Sequence, residues 1–359
     1  SINTGQTTTA NITAKTLTAT ASASNKVYDG ITTATSTLTF SGLIGSESLG
    51  QTVGSTFDNK NVGTGKTVTV NSITLADGSN GGLAANYSIS AGQTTTANIT
   101  AKALTVSGIT ASNKTYDSNT TATLNTGSVS YTGLVGGDVF NGTYTGAFSD
   151  KNVGTGKTVT ITPSYTGADV SNYSITNHAN ITANITTKAL TVSGITTSNK
   201  TYDGNTVATL NTSSVLYSGL VAGDTFSGSY TGAFANANVG TGKTVTISPT
   251  YSGADVSNYN ITNHSTITAD ISKKALTATA SASNKVYDGN NTATTTLTLS
   301  GLIGSETLGQ SVGSTFNNKN VGTSKTVTVN SITLADGSNG GLAANYSISA
   351  GQTTTANIT

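Results

Sequence analysis

Cysteine, methionine, tryptophan and arginine are missing from this 359-residue chain. Without cysteine there is no disulfide framework and no thiolate metal site, although export is not thereby excluded. Without arginine, all sixteen cations are lysine, the net charge is +1 and no basic cluster forms. Such a chain has no lysine stripe to neutralise several phosphates, so nucleic acid is not expected as a partner. Charged residues make up 9% of the chain, against about a quarter in an ordinary soluble domain. Nor is this the highly charged composition of a disordered tail. No apolar run approaches the roughly eighteen residues of a spanning helix, so no membrane span is expected in this segment.

What is present repeats. Threonine supplies about a fifth of the residues, and Gly, Ser, Asn and Ala much of the rest. Internal repeats are the first thing to look for in such a chain. The phrase Lys-x-Leu-Thr begins at Lys15, Lys102, Lys188 and Lys274, at spacings of 87, 86 and 86 residues. Each unit then passes the same signposts. Asn-Lys-x-Tyr-Asp runs from Asn25 to Asp29, Asn113 to Asp117, Asn199 to Asp203 and Asn284 to Asp288. An Asn-Val-Gly turn follows, then Asn86-Tyr87, Asn172-Tyr173, Asn258-Tyr259 and Asn345-Tyr346. The units close on Ile99, Ile185, Ile271 and Ile358.

The boundaries are therefore 1–14, the tail of a preceding repeat, then 15–101, 102–187, 188–273 and 274–359. Repeats 1 and 4 are one type, A, and share long identical runs. Repeats 2 and 3 are a second type, B, marked by Tyr-Thr-Gly-Ala-Phe and Ile-Thr-Asn-His. With no initiator methionine or signal peptide, the chain reads as a piece of a longer array.

Gly-Thr-Gly-Lys-Thr at 63–67 looks like the end of a phosphate-binding loop, but the motif fails. Five residues before Gly65 stands Lys60 rather than glycine, and the β-branched run Thr67-Val68-Thr69-Val70 follows instead of a helix. In the fourth copy Ser324 replaces the second glycine. The stretch is a turn feeding a strand.

The pattern is β throughout. Residues 103–107, 157–161 and 88–90 alternate, turn clusters such as 77–82 and 136–138 separate such runs, and no long stretch has a 3.6 period. Pro163 and Pro249 mark an edge strand or bulge. The expectation is an all-β chain: a tandem array of four small, Ig-like β-sandwich domains forming an elongated rod. In repeat 1 the expected core is Leu17, Val27, Leu38, Leu43, Ile44, Phe57, Val62, Val68, Val70, Ile73, Leu75, Tyr87, Ile89 and Ile99. At about 1.5–3 kcal/mol per buried large side chain, each unit need not lean on its neighbours as a solenoid repeat does. Between the last strand of one unit and the first of the next stand only Ala101-Lys102, so the junction should be short and stiff.

Asn25 to Thr35, followed by the Asn-Val-Gly turn, Asn86-Tyr87 and the closing strand into Lys102, resembles the YDG repeat of large secreted bacterial proteins. These include filamentous-haemagglutinin-type adhesins exported by two-partner secretion. The resemblance covers nearly the whole chain four times over, and departs from the pattern at Ser118, where glycine should stand. It implies an exported β repeat, extracellular or at the cell surface, used as a stalk or biofilm-matrix fibre.

The candidate sites are few. The signature pairs Tyr28-Asp29, Tyr116-Asp117, Tyr202-Asp203 and Tyr287-Asp288 suit a turn, in which Asp accepts backbone N–H bonds and Tyr packs beside it. Read as calcium or carbohydrate sites they fall short, because calcium wants six to eight oxygens and the acids are spread out. His178 and His264 occupy equivalent turns, one per type B unit, too few for a metal site. No Ser/His/Asp set recurs, so no catalytic residue is expected, and no cofactor or metal is implied. Threonine ladders of the ice-binding kind need strands stacked at about 4.8 Å, which so long a repeat does not provide. A Lys26–Asn86 crosslink is conceivable, since both residues recur in every unit. The favoured function is a structural stalk, with neighbouring repeats as its partners and lateral self-association into fibres as an extension. The alternative is multivalent, weak glycan or partner binding at tyrosines of the type B units: Tyr131, Tyr144 and Tyr165, with Tyr217, Tyr230 and Tyr251.

Overall fold

Alternating threonine and valine build the longest strand of each repeat. In the computed structural model, which describes residues 4–359, that strand in repeat 1 is Gly63–Asp77. The first three residues of the fourteen-residue tail lie outside the described part. Val68 and Val70 are fully buried, Thr69 between them is half-buried, and Thr67 and Asn71 on either side are exposed, the period-2 signature of a half-buried strand. The strand pairs antiparallel with Leu49–Phe57 from Val68 to Asp77 and with Thr94–Thr100 over its first half only. Lys26–Val27 adds in parallel to Thr94–Thr100, and Thr33–Ala34 closes the other edge, giving a five-stranded sheet.

A second group of strands completes the repeat. Thr18–Ala23 pairs antiparallel with Ser36–Ser41, and Lys15–Thr16 pairs in parallel with Tyr87–Ser88. In the type B repeats this group holds a three-stranded sheet, ordered Ser130–Thr132, Lys102–Ser107, Tyr173–Thr176 in repeat 2. Pro163 faces Tyr144 in the half of its long strand that is paired on one side only. Proline removes no ladder bond on that open side. Among the described residues there is no α-helix; the helical segments are single 3₁₀ turns, at Ala84–Asn86, Val170–Asn172, Val256–Asn258 and Ala343–Asn345. The chain is all-β with four tandem repeats.

Leu17, Leu38, Phe57, Val68, Val70, Tyr87 and Ile99 are buried as the pattern predicts, and Leu43, Val62, Ile73, Leu75 and Ile89 are half-buried. Val27 and Ile44 are not in the core; each is 56% exposed. Val27 is displaced by its neighbour. Successive side chains of a strand point to opposite faces, and here Tyr28 takes the face covered by repeat 2, at 1% exposure. Ile44 lies in the loop before Glu47, at the rim of the repeat.

The chain divides into two compact units, one of residues Ser1–Lys114 with Asn119–Thr186, the other of Thr115–Ser118 with Thr187–Thr359. The core of the first unit does not stop at the repeat boundary. Tyr28, Phe57 and Ile99 of repeat 1 form one apolar cluster with Leu104, Val106, Phe140 and Tyr173 of repeat 2. In the second unit Tyr202, Phe234 and Ile271 of repeat 3 cluster with Leu276 and Tyr346 of repeat 4. Each repeat was expected to close its own core, yet neighbours within a unit share one. A single residue, Ala101, separates strand Thr94–Thr100 from strand Lys102–Ser107.

Candidate repeat-to-repeat docking site

The tyrosine and the aspartate of the signature face opposite ways. Asp29 turns inward on its own repeat. Its Oδ1 accepts the Ile31 N–H at 3.1 Å and the Lys26 ammonium at 2.7 Å. Lys26 also donates to the carbonyls of Ile31 and Thr33, at 2.7 and 3.0 Å, and lies over the Phe57 ring. Burial pushes the Asp29 carboxyl up, but the Lys26 bond and the Ile31 N–H outweigh it and hold the group below its ordinary value. Asp203 and Asp288 repeat this turn, with Lys200 and Lys285 each at 2.7 Å. Lys26 is thus committed to this turn, and the structure does not bring it to Asn86, which lies in the 3₁₀ turn Ala84–Asn86.

Tyr28 points out of repeat 1 and into repeat 2. Its hydroxyl donates to the Asp138 carboxylate, 2.8 and 3.0 Å from the two oxygens. The ring meets Tyr173 edge-on at 5.6 Å. The Tyr173 hydroxyl donates to Asp138 at 2.5 Å and accepts the Val135 N–H at 2.9 Å. Lys60, from the Asn-Lys-Asn-Val turn of repeat 1, lies 3.0 Å from Asp138 and 2.9 Å from Asp169. Asn172 completes the socket. Its Oδ1 accepts the Val62 N–H at 2.9 Å and its Nδ2 donates to Asn61 at 3.2 Å. The Tyr-Asp packing read from sequence is therefore corrected: Tyr28 packs in the next repeat, because period-2 alternation sends it away from Asp29.

The electrostatics fit a closed polar knot. Burial pushes the Asp138 carboxyl up, but bonds from Tyr173, Lys60 and Tyr28 together hold it below its ordinary value. Burial, then the bond to Asp138, pushes the Tyr173 phenol up to about 12. The Lys60 ammonium is held well above its usual range by Asp169 and Asp138. Glycine is needed at position 30 for two reasons. Its φ is +81°, and a Cβ there would stand 2.8 Å from a methyl of Val135 in the next repeat.

The same knot recurs in the second unit. Tyr202 and Tyr346 meet edge-on at 5.3 Å and each donates to Glu306 at 2.6 Å. Asn345 accepts the Val239 N–H at 2.9 Å and donates to Asn238 at 3.0 Å. A Cβ on Gly204 would stand 2.8 Å from Ile303. Tyr116, which segregates with this unit, donates to Asp224 at 3.1 Å and meets Tyr259 at 5.6 Å. Ser118 takes the left-handed φ of the missing glycine, +66°, and its hydroxyl donates to Asp224 at 2.9 Å. Tyr287, the fourth copy, is 50% exposed.

The other sequence candidates settle as follows. Tyr131, Tyr144 and Tyr165 are brought into one cluster around Phe140, half-buried, with the hydroxyls of Tyr131 and Tyr144 3.1 Å apart. Tyr217, Tyr230 and Tyr251 repeat it around Phe226. Beside Tyr144 and Tyr230 lie open grooves of about 430 and 590 Å³. His178 and His264 sit half-buried in loops against the neighbouring carbonyls of Ala179 and Ser265. Among the described residues no acid, His or Cys cluster could hold a metal. The Gly-Thr-Gly-Lys turn spends its N–H internally: Gly65, Gly156, Gly242 and Ser324 donate to Asn98, Asn184, Asp270 and Asn357, at 2.7–2.8 Å. Sequence reasoning missed the socket residues Asp138, Asp169, Asn172, Glu306 and Asn345. The signal was the recurring Asn before Tyr87, Tyr173, Tyr259 and Tyr346, a polar residue fixed in every unit and called for by no turn.

A profile of the YDG domain matches the chain four times, at residues 13–97, 100–182, 186–269 and 272–356. No curated protein matches it.

Proposed function

The chain belongs to the YDG domain family, with four domains in tandem, and from that membership we propose that it is a structural stalk segment. Each domain is a small β-sandwich, the array is an elongated rod, and the whole serves a secreted or cell-surface bacterial adhesin or biofilm-matrix protein of the filamentous-haemagglutinin-like kind. It provides reach and rigidity, and no catalysis. One observation supports this reading above the rest: the signature tyrosine is spent on the neighbouring repeat, as Tyr28 is on Asp138 and Tyr202 on Glu306. A residue that defines the repeat and bonds to the next repeat is one that fixes the angle between them. The single-residue connector at Ala101 supports it as well, since stiffness falls with spacer length.

Small-angle scattering on the full chain, with and without a calcium chelator, tests it. A compact globule of this length has a radius of gyration of about 21 Å. A rod of about 150 Å, from strands rising about 3.3 Å per residue, gives about 45 Å. A value near 45 Å that ignores chelation is expected; a value near 21 Å sinks the stalk. A second reading, weak multivalent binding, draws on the grooves beside Tyr144 and Tyr230. It requires a glycan or protein ligand whose binding is lost in the Tyr144→Ala, Tyr230→Ala double variant.

A further inference from the structure

Each docked junction joins a plug, the signature tyrosine and the Asn-Val turn of one repeat, to a socket in the next. The two type B repeats differ in that turn in a way their type does not explain. Repeat 2 reads Asp150-Lys151-Asn152-Val153 and repeat 3 reads Asn236-Ala237-Asn238-Val239. On either side the two are alike: Tyr-Thr-Gly-Ala-Phe precedes both turns and Gly-Thr-Gly-Lys-Thr-Val-Thr-Ile follows both. What differs is the repeat that comes next in the sequence. After repeat 2 it is type B, and after repeat 3 it is type A. Repeat 1, a type A repeat with Lys60 in this place, also stands before type B. The lysine therefore follows the type of the successor and not the type of the repeat that carries it.

The sockets differ in step. The residue that opens the 3₁₀ turn is an acid in type B, Asp169 and Asp255, and a leucine in type A, Leu83 and Leu342. Asp169 is 6% exposed, and its Oδ2 accepts the Val139 N–H at 2.9 Å. Its own repeat thus fixes it in place. Asp255 does the same with the Thr225 N–H, also at 2.9 Å. Asp138 and the other oxygen of Asp169 both lie within 3.0 Å of the Lys60 ammonium. In the second unit Glu306 spends one oxygen on each tyrosine, Ala237 packs against the apolar cluster, and Leu342 is half-buried.

We propose that Lys60 and Ala237 are specificity-determining residues that match each repeat to its successor: lysine admits a two-acid socket, alanine a one-acid socket. The tyrosine pair and the asparagine are common to both junctions, so they cannot discriminate; the charges can. The two mismatches fail differently. Alanine before a two-acid socket leaves Asp138 and Asp169 buried side by side with no cation to offset their desolvation. Lysine before a one-acid socket meets a carboxylate already bonded to two hydroxyls, with leucine where the second acid would stand, so the ammonium gives up water for little return. Penalising the wrong neighbour is how an interface with one shape chooses between partners. The selection stands whether or not the chain serves as a stalk.

Two double-variant cycles in the full chain test it, read by urea unfolding followed through tyrosine fluorescence. The first combines Lys60→Gln with Asp169→Asn. Glutamine keeps most of the lysine stem and asparagine keeps an acceptor for Val139, so the change is mainly one of charge. Lys60→Gln alone is expected to raise the unfolding constant of the first unit about tenfold, and by less than about threefold once Asp169→Asn is present. The second cycle builds the two-acid junction in the second unit. Leu342→Asp is expected to raise the unfolding constant by about tenfold or more, and adding Ala237→Lys should recover most of that loss, whereas Ala237→Lys alone gives no gain. If Leu342→Asp leaves the second unit unfolded, Ala237→Lys must refold it. Equal costs of Lys60→Gln in both backgrounds overturn the proposal. So does an Ala237→Lys change that helps the Leu342→Asp chain no more than it helps the unmodified one.

Discussion

Truncating Tyr28 to alanine removes the plug from a socket whose other parts stay in place. The side chain is 1% exposed, its ring packs edge-on against Tyr173, and its hydroxyl serves Asp138. Deleting a buried aromatic costs about 3–5 kcal/mol through lost transfer energy and the cavity left behind. Tyr28→Phe separates the polar part. A hydrogen bond to a charged group contributes about 1.5–3 kcal/mol, and the lower end applies because Asp138 keeps Tyr173 and Lys60. Tyr28→Phe should therefore cost about 1.5 kcal/mol and Tyr28→Ala about 4. In a cooperative block of 150–250 residues each kcal/mol moves Tm by about 2–4 °C, so Tyr28→Ala should lower the transition of the first unit by about 10 °C. Calorimetry on the full chain reads this directly. Tyr287→Ala is the internal control: the same residue type in the same turn, but 50% exposed, where surface changes stay within about 0.5 kcal/mol. If Tyr28→Ala costs no more than Tyr287→Ala, the signature tyrosine is not a docking residue and the reasoning from burial fails.

Asn172→Ala should cost about 1–3 kcal/mol in urea denaturation, because it removes a buried side chain and leaves the half-buried Val62 N–H without its acceptor, while Asn86→Ala, at the exposed copy of the same position, should cost under about 0.5 kcal/mol. Ser324 holds φ +48° where Gly65, Gly156 and Gly242 stand in the other repeats. Ser324→Gly should raise the unfolding free energy by about 0.5 kcal/mol, read as a higher urea midpoint at unchanged m, as a left-handed strain of about 1–2 kcal/mol is relieved and glycine's extra unfolded entropy of about 0.5–1 kcal/mol is incurred. Burial, then the bond to Glu306, pushes the Tyr202 phenol up to about 12. The folded chain thus holds a proton that the unfolded chain loses near pH 10. This stabilisation is complete below about pH 10 and lost as pH rises toward 12. Tyr202→Phe should flatten that alkaline limb in a pH series of melting curves, and an unchanged limb refutes the assignment.

Much of the fold was legible because its information is local. Val68 and Val70 declare their strand by alternation, Asn80 and Gly81 their turn by taking positive φ, and Pro163 its one-sided strand by lacking an N–H. What stayed hidden was relational. Nothing within five residues of Asp138 or Glu306 shows that a tyrosine from another repeat arrives there, more than a hundred positions away in sequence. Val27 and Ile44 were misplaced for a related reason. Hydrophobicity says that a residue wants cover but not which neighbour supplies it, and beside Val27 the larger Tyr28 took the face that the next repeat covers.

The two kinds of socket show how the docking site tolerates divergence. Repeat 2 offers two carboxylates, Asp138 and Asp169, and repeat 1 meets them with Lys60. Repeat 4 offers one, Glu306, has Leu342 at the start of its 3₁₀ turn where Asp169 starts that of repeat 2, and repeat 3 meets it with Ala237 in place of the lysine. At these two junctions the second acid and the cation are thus present together or absent together, which leaves the same net charge at both. That is what desolvation demands, since an added buried carboxylate without a partner costs far more than a surface pair returns. The tyrosine pair and the asparagine are unchanged between the two, because they carry the geometry. The charges trim the balance around them, so the array can vary its sockets while keeping one way of joining.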